Sequence, residues 1–239
     1  MRQDHSFDPI TVGQTPSGKV LGEDDAEEVV VRRCLKVNKI HWGILEHPQL
    51  TFSIVGAPRH ALIQLRTHRH TTWDITSMRE TGSEIVSAGV EAYRIMRKYD
   101  RFPHNLFPSR RCNELEPIVK KFFDFEFIID RLKQGQEAGR EIIISEFANQ
   151  LVAYSTLVED GGLKKELARG VIGDAVLSNA HVTLSLRALL HIASVRLGGD
   201  TQESAREIVG QMLEQAAFPH PQIVSWFNSK EPKKLTIAP

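Results

Sequence analysis

The chain has 239 residues, enough for a full hydrophobic core, and its 41% hydrophobic and 25% charged content is that of an ordinary globular protein. Its 30 basic and 30 acidic residues cancel to a formal net charge of zero. A protein living on nucleic acid or a membrane surface usually carries a basic excess, so the balance argues against both partners and for a small, locally held anion. No apolar run reaches the roughly 18 residues of a membrane span, and the start, MRQDHSFDP, lacks a signal-peptide core. Two cysteines without metal-type spacing, Cys34 and Cys112, fit a reduced, cytoplasmic setting.

Residues 1–23 are polar, carry Pro9 and Pro16, and read as a loosely held arm, with 24–239 as a single domain. DDAEEVVVRRCLKVN puts acids first and bases last, as the helix dipole favours, and predicts a helix from Asp24 to Val37. QLTFSIVG alternates Leu50, Phe52 and Ile54 as a half-buried strand does, and Pro58 opens a helix through RHALIQLRTHR. After His70 the run of Thr, Asp and Ser reads as a loop. SEIVSAGVEAYRIMRKY has helical spacing, and RFPHNLFPSRR is a loop. Residues 114–161 read as one or two helices weakened near GQEAG, and LKKELARGVIG as a short one. NAHVTLSLRALLHIASVRL reads as a helix ended by GGD, and QESAREIVGQMLEQAA as another ended by FPHP. The sum is mostly helical with a small sheet. There are no alternating strand–helix units, no Gly-x-Gly-x-x-Gly and no P-loop.

The densest chemistry lies in IQLRTHRHTTWDITSMR, Ile63 to Arg79, with three arginines, two histidines and five hydroxyl residues. His68 and His70 are two apart, not the three or four of a helical metal pair, and an exposed polar helix end is the plain reading. Gln64 and His68 share a helical face. A hydroxyl-rich loop ending in Arg79 fits a phosphate, held by backbone N–H groups and a guanidinium fork. A solvated loop fits the same composition.

A second constellation is Arg169, Ser185, Arg187, His191 and Arg196. Arg187 and His191 are one turn apart; Arg187 and Arg196, nine apart, point opposite ways on a straight helix. They therefore serve different ligands, or sites in different subunits, or they are surface ion pairs.

HRHTTWDITSMR resembles the signature of the flavin-dependent thymidylate synthases (ThyX), Arg-His-Arg-x-x-Ser-x-Asn-Glu-x-Ser-x-Arg. His68, Arg69, Ser77 and Arg79 match; Thr72 stands for Ser and Asp74 for Asn. Gln64 also falls where the family has glutamine. ILEHPQLTFSIVGAP resembles the segment before the signature, and ELARGVIGDAVLSNAHVTLSLRALLHIASVR resembles the Ala-Arg-x-Val-Leu-Pro and Asn-x-Arg-Ser-Leu segments. Arg169, Arg187 and Arg196 are in register there. The middle, about 82–150, is longer than the resemblance leads one to expect and does not align with its motifs.

The resemblance implies an α+β fold, a twisted, mainly antiparallel sheet flanked by helices, assembled as a homotetramer with sites at subunit interfaces. It implies that Arg79 and Arg169 grip a nucleotide phosphate, with Gln64, Ile75, Thr76, Ser77 and Met78 beside the substrate and Arg196 on the pyrimidine ring as the catalytic residue. It places His68, Arg69, His70, Thr72, Asp74, Ser185, Arg187 and His191 along FAD. The implied reaction is C5 methylation or hydroxymethylation of a pyrimidine nucleotide such as dUMP or UMP, with methylenetetrahydrofolate as carbon donor and NADPH as reductant. No metal is implied. Departures fall mostly on the flavin side: Thr67 for the first signature Arg, Ile75 for its Glu, Ser185 for an Asn, Gly173 for a Pro and Trp42 for a histidine. The alternative is a nucleotide-binding member of the same fold that has lost catalysis.

Overall fold

The structure, a computed structural model, describes residues 23–36, 40–100, 108–125, 128, 137–198 and 200–230. The predicted arm thus lies outside the described residues, apart from its last residue. The chain falls into two compact units. The first takes Met1–Val55, Ala61–Asp74 and Asn179–Pro239; the second takes Gly56–His60 and Ile75–Ser178.

In the first unit, α1 (Glu23–Val30) passes into a π-helical turn (Val31–Leu35) and then a 3-10 turn (Trp42–Glu46). β1 (Gln49–Pro58) buries Leu50 and Phe52 as its alternation predicts, and Pro58 ends the strand rather than opening the helix. α2 (Arg59–Arg66) follows, then β2 (Thr71–Ile75); the first two residues of α2 and the last of β2 are counted with the second unit. β3 (Leu177–Ser185) runs straight into α7 (Leu186–Arg196), followed by α8 (Glu203–Ala216) and α9 (Pro221–Asn228). The three strands form an antiparallel sheet in the order β1-β3-β2. β3 is central, and its Ala180, Val182 and Leu184 are buried on one face. Thr51 and Thr183 join their hydroxyls across β1 and β3 at 3.0 Å. The core of this unit centres on Phe52, Leu65, Leu184, Leu189, Trp226 and Phe227.

Three expectations differ here. The predicted loop after His70 is β2, an edge strand whose Thr72 and Asp74 are exposed, so it needs little apolar content. The predicted helix over 179–197 is strand to Ser185 and helix beyond it. FPHP ends α8 but also starts α9, with Pro221 in the first turn, where its missing N–H costs nothing.

The second unit is helical: α3 (Met78–Tyr99), α4 (Pro108–Phe122), α5 (Glu137–Glu159) and α6 (Lys165–Ala168), the last continued by a 3-10 turn at Arg169–Val171. Its core holds Ile85, Leu115, Phe123, Ile144, Leu151 and Tyr154, with Phe123 stacked on Phe147 at 4.3 Å. The stretch around 82–150, which carries none of the motifs of the resemblance, holds α4 and much of α3 and α5, and these three helices pack on one another. Small residues let α3 and α5 approach closely. A Cβ on Gly89 would collide with the Leu151 carbonyl oxygen and lie 2.5 Å from Ser155 Oγ.

Gly89→Ala is therefore expected to lower stability by about 1–3 kcal/mol, the usual range for overpacking. Urea unfolding checks this, and an unchanged midpoint would contradict the close α3–α5 contact.

Candidate functional site

The C-terminal end of α2 positions the first group of side chains. Backbone bonds from Thr67 N to Gln64 O and from His68 N to Leu65 O close the helix, and the Thr67 hydroxyl donates to the same Gln64 carbonyl at 2.6 Å. His70 then takes φ 62°, turning the chain into β2. In that turn Thr71 Oγ1 donates to His68 O at 2.9 Å, and Trp73 Nε1 donates to Thr71 Oγ1 at 2.9 Å. Arg69, His70, Thr72 and Asp74 are left exposed.

α7 brings the second group to the same place. Ser185 caps it, its hydroxyl accepting from Ala188 N at 3.2 Å, so the position that departs from Asn has a structural task. At the other end Arg196 donates from Nε to His68 Nε2 at 2.9 Å and from Nη2 to Gln64 O at 3.5 Å. The His191 ring meets His68 edge-on, centroids 6.1 Å apart. Arg187 turns elsewhere and pairs with Glu46 of the 3-10 turn. Arg187 and Arg196 thus have separate partners.

Because His68 Nε2 accepts from a guanidinium, its ring is neutral, with the proton on Nδ1. Burial first, then the charges of Arg196 and His191, lower its pKa from 6.5 to about 4. Gln64 contributes a buried amide oxygen, Oε1, with no hydrogen-bond partner among the described residues. The cluster therefore offers a fixed cation, a neutral ring and an unused acceptor, a set suited to a polar aromatic ring carrying its own N–H groups.

The remaining predicted residues belong to the second unit. Ile75, Thr76 and Ser77 are half-buried, and the Ser77 carbonyl accepts from Glu80 N at 2.9 Å in the first turn of α3. Met78 and Arg79 are the first two residues of that helix; their side chains lie outside the described residues. Arg169 is exposed at the end of α6, which packs on α3. One turn earlier Lys165 Nζ donates to Ser83 Oγ at 2.6 Å. Neither Lys165 nor Glu46 emerges from sequence reasoning. Each finds its partner 82 or 141 positions away, beyond any local pattern. Among the described residues there is no group of three or more acidic, His or Cys side chains placed to hold a metal. No helix among them is long and apolar enough to cross a membrane.

Comparison with known proteins gives the family and the fold. The family model described as thymidylate synthase complementing protein matches residues 6–222. The chain is 25% identical to the flavin-dependent thymidylate synthase of Halobacterium salinarum, over 95% of this chain and 89% of that one. It is likewise 25% identical to that of Haloarcula marismortui, over 98% and 92%. In fold it is similar to Thymidylate Synthase X from Helicobacter pylori, solved with FAD and dUMP: TM-score 0.66, 17% identity, 95% of each chain covered. The chain belongs to the thymidylate synthase complementing protein family.

The His68 environment has a measurable consequence. The unfolded chain takes up the imidazole proton near pH 6.5, the folded chain only near 4. Between these values the unfolded state binds more protons, so His68 costs stability progressively as pH falls through that window. Urea unfolding of the wild type is expected to lose more stability between pH 7 and pH 4.5 than His68→Gln does. Parallel pH profiles would contradict a neutral His68.

Proposed function

We propose that this chain is a thymidylate-synthase-like enzyme that modifies C5 of a pyrimidine nucleotide such as dUMP or UMP. Methylation or hydroxymethylation would use methylenetetrahydrofolate as carbon donor, FAD as cofactor and NADPH as reductant, with the chain working as a homotetramer. Family membership, the names of its relatives and the FAD and dUMP in the Helicobacter structure support the reading. The observation that carries it is the Gln64–His68–Arg196 cluster, which joins three positions of the resemblance from two distant segments.

Arg196 is the residue assigned to the ring. Its guanidinium stabilises negative charge developing on the pyrimidine as C5 becomes nucleophilic. His68, accepting from Nε, fixes the direction of that guanidinium without adding a competing charge. The unused Gln64 Oε1 accepts an N–H or hydroxyl from the substrate. Arg79 and Arg169 hold the phosphate, with Ser77 beside them. No cysteine nucleophile is required: burial pushes the Cys34 and Cys112 thiols up, away from reactive thiolate.

FAD is compatible with the donor set around His68. A neutral, half-buried imidazole against His191 suits a flat, uncharged ring system, and exposed Arg69 suits a pyrophosphate. Arg187, His70, Thr72, Asp74 and Ser185 complete the assigned residues. When bound, FAD supplies the reducing equivalents that convert the transferred one-carbon unit.

One observation favours a second reading, nucleotide binding without flavin chemistry. Trp42, which stands where the resemblance places a flavin-side histidine, packs on Trp226 with ring centroids 6.0 Å apart.

The assignment is tested on the phosphate residues. Arg79→Ala and Arg169→Ala are each expected to weaken dUMP binding tenfold or more by calorimetry, because each removes a charge-assisted hydrogen bond worth about 1.5–3 kcal/mol. Arg196→Ala is expected to abolish product formation while dUMP still binds. Unchanged affinity in the first two variants would sink the phosphate assignment.

A further inference from the structure

Lys165 opens α6 four positions before Arg169, a spacing that puts two residues on one helical face. Its Nζ donates to Ser83 Oγ at 2.6 Å, and Ser83 stands one turn beyond Arg79 on α3. The lysine thus joins the two stretches of chain that carry the arginines assigned to the phosphate. All four residues belong to the second unit.

The course of this side chain is set by the lack of another. Gly82 is buried, and a Cβ there would lie 2.8 Å from Lys165 Cδ and 2.7 Å from the Tyr154 hydroxyl oxygen. The lysine methylenes therefore run close over the α3 backbone at Gly82, beside the buried Tyr154. Lysine often lays its apolar stem along a surface in this way and leaves the ammonium at the rim. Here the stem is half-buried, so the ammonium is held at α3.

The charge is not neutralised where it sits. Among the described residues no carboxylate pairs with Lys165, whose partner is the uncharged Ser83 hydroxyl. Glu84, the next residue on α3, pairs instead with Lys121 at 3.5 Å. An ammonium donates up to three hydrogen bonds and accepts none, so the bond to Ser83 leaves donors over. A phosphate is the complementary group, made wholly of acceptor oxygens and negatively charged.

We propose that Lys165 is a third phosphate-binding residue of the nucleotide site, donating from Nζ to a phosphate oxygen while Ser83 holds it in place. The inference rests on the reading of Arg79 and Arg169 as phosphate residues. Lys165 adds a point charge to their two guanidinium forks. Its part is in binding the nucleotide and not in the ring chemistry at Arg196.

The test is the dUMP affinity of the full chain, measured by calorimetry in Lys165→Met and Lys165→Arg. Both variants keep an unbranched stem over Gly82, so the difference between them reads the charge. Lys165→Met is expected to weaken dUMP binding about tenfold or more, as loss of a charge-assisted hydrogen bond does, and Lys165→Arg to retain most of the affinity. Wild-type affinity in Lys165→Met, with Arg79→Ala and Arg169→Ala weakened, would overturn the proposal and leave the phosphate reading standing. Equal losses in the Met and Arg variants would also overturn it, because charge would then not be what binds. Failure of the wild type to bind dUMP would remove the phosphate reading itself, and the proposal with it.

Discussion

β3 passes into α7 without a loop, and the first unit is organised around that junction. Ser185 is both the last strand residue and the helix cap, and Leu186 N donates to Pro48 O at 2.9 Å, tying the junction to the entry of β1. Burial of Val182, Leu184 and Leu186 fixes the register of strand and helix together. With the start of α7 fixed, the directions of its side chains are fixed too. Arg187 meets Glu46, and Arg196, at the far end, meets His68 and the Gln64 carbonyl. A one-residue slip of β3 would turn its buried face to solvent and withdraw both arginines from their partners.

This junction is also where sequence reading was weakest. NAHVTLS carries a clear alternation, but no Gly or Pro separates it from LRALLHIASVR, so the two merge into one apparent helix. The cap signal, Ser185, is one hydroxyl in a polar–apolar pattern that serves either structure. β2 was missed for the opposite reason. An edge strand with two exposed polar residues and a half-buried Trp73 has little hydrophobic signal, and its threonines favour loop and strand alike. β1 was legible because Leu50 and Phe52 alternate between turn signals. The long α3 and α5 were legible in their interiors but not at their boundaries.

The site divides in the same way. His68, Gln64 and Arg196 were singled out from their motifs, and their meeting is a property of the fold that no local spacing contains. The departures are partly explained. Ser185 retains a capping role, and the Thr67 hydroxyl closes α2 on the Gln64 carbonyl that Arg196 also reaches. Trp42 has become a packing residue against Trp226. Nothing in the structure accounts for Ile75 in place of a glutamate.

The central claim is that the pair formed by the neutral His68 ring and the Arg196 cation serves flavin chemistry on a pyrimidine nucleotide. The most direct test is the visible absorption spectrum of the purified protein with FAD added, then dUMP, UMP and dCMP in turn. The account predicts a bound flavin whose bands shift with one of the uracil nucleotides. Nucleotide binding with no flavin retained under any of these conditions would contradict it and leave the non-catalytic reading.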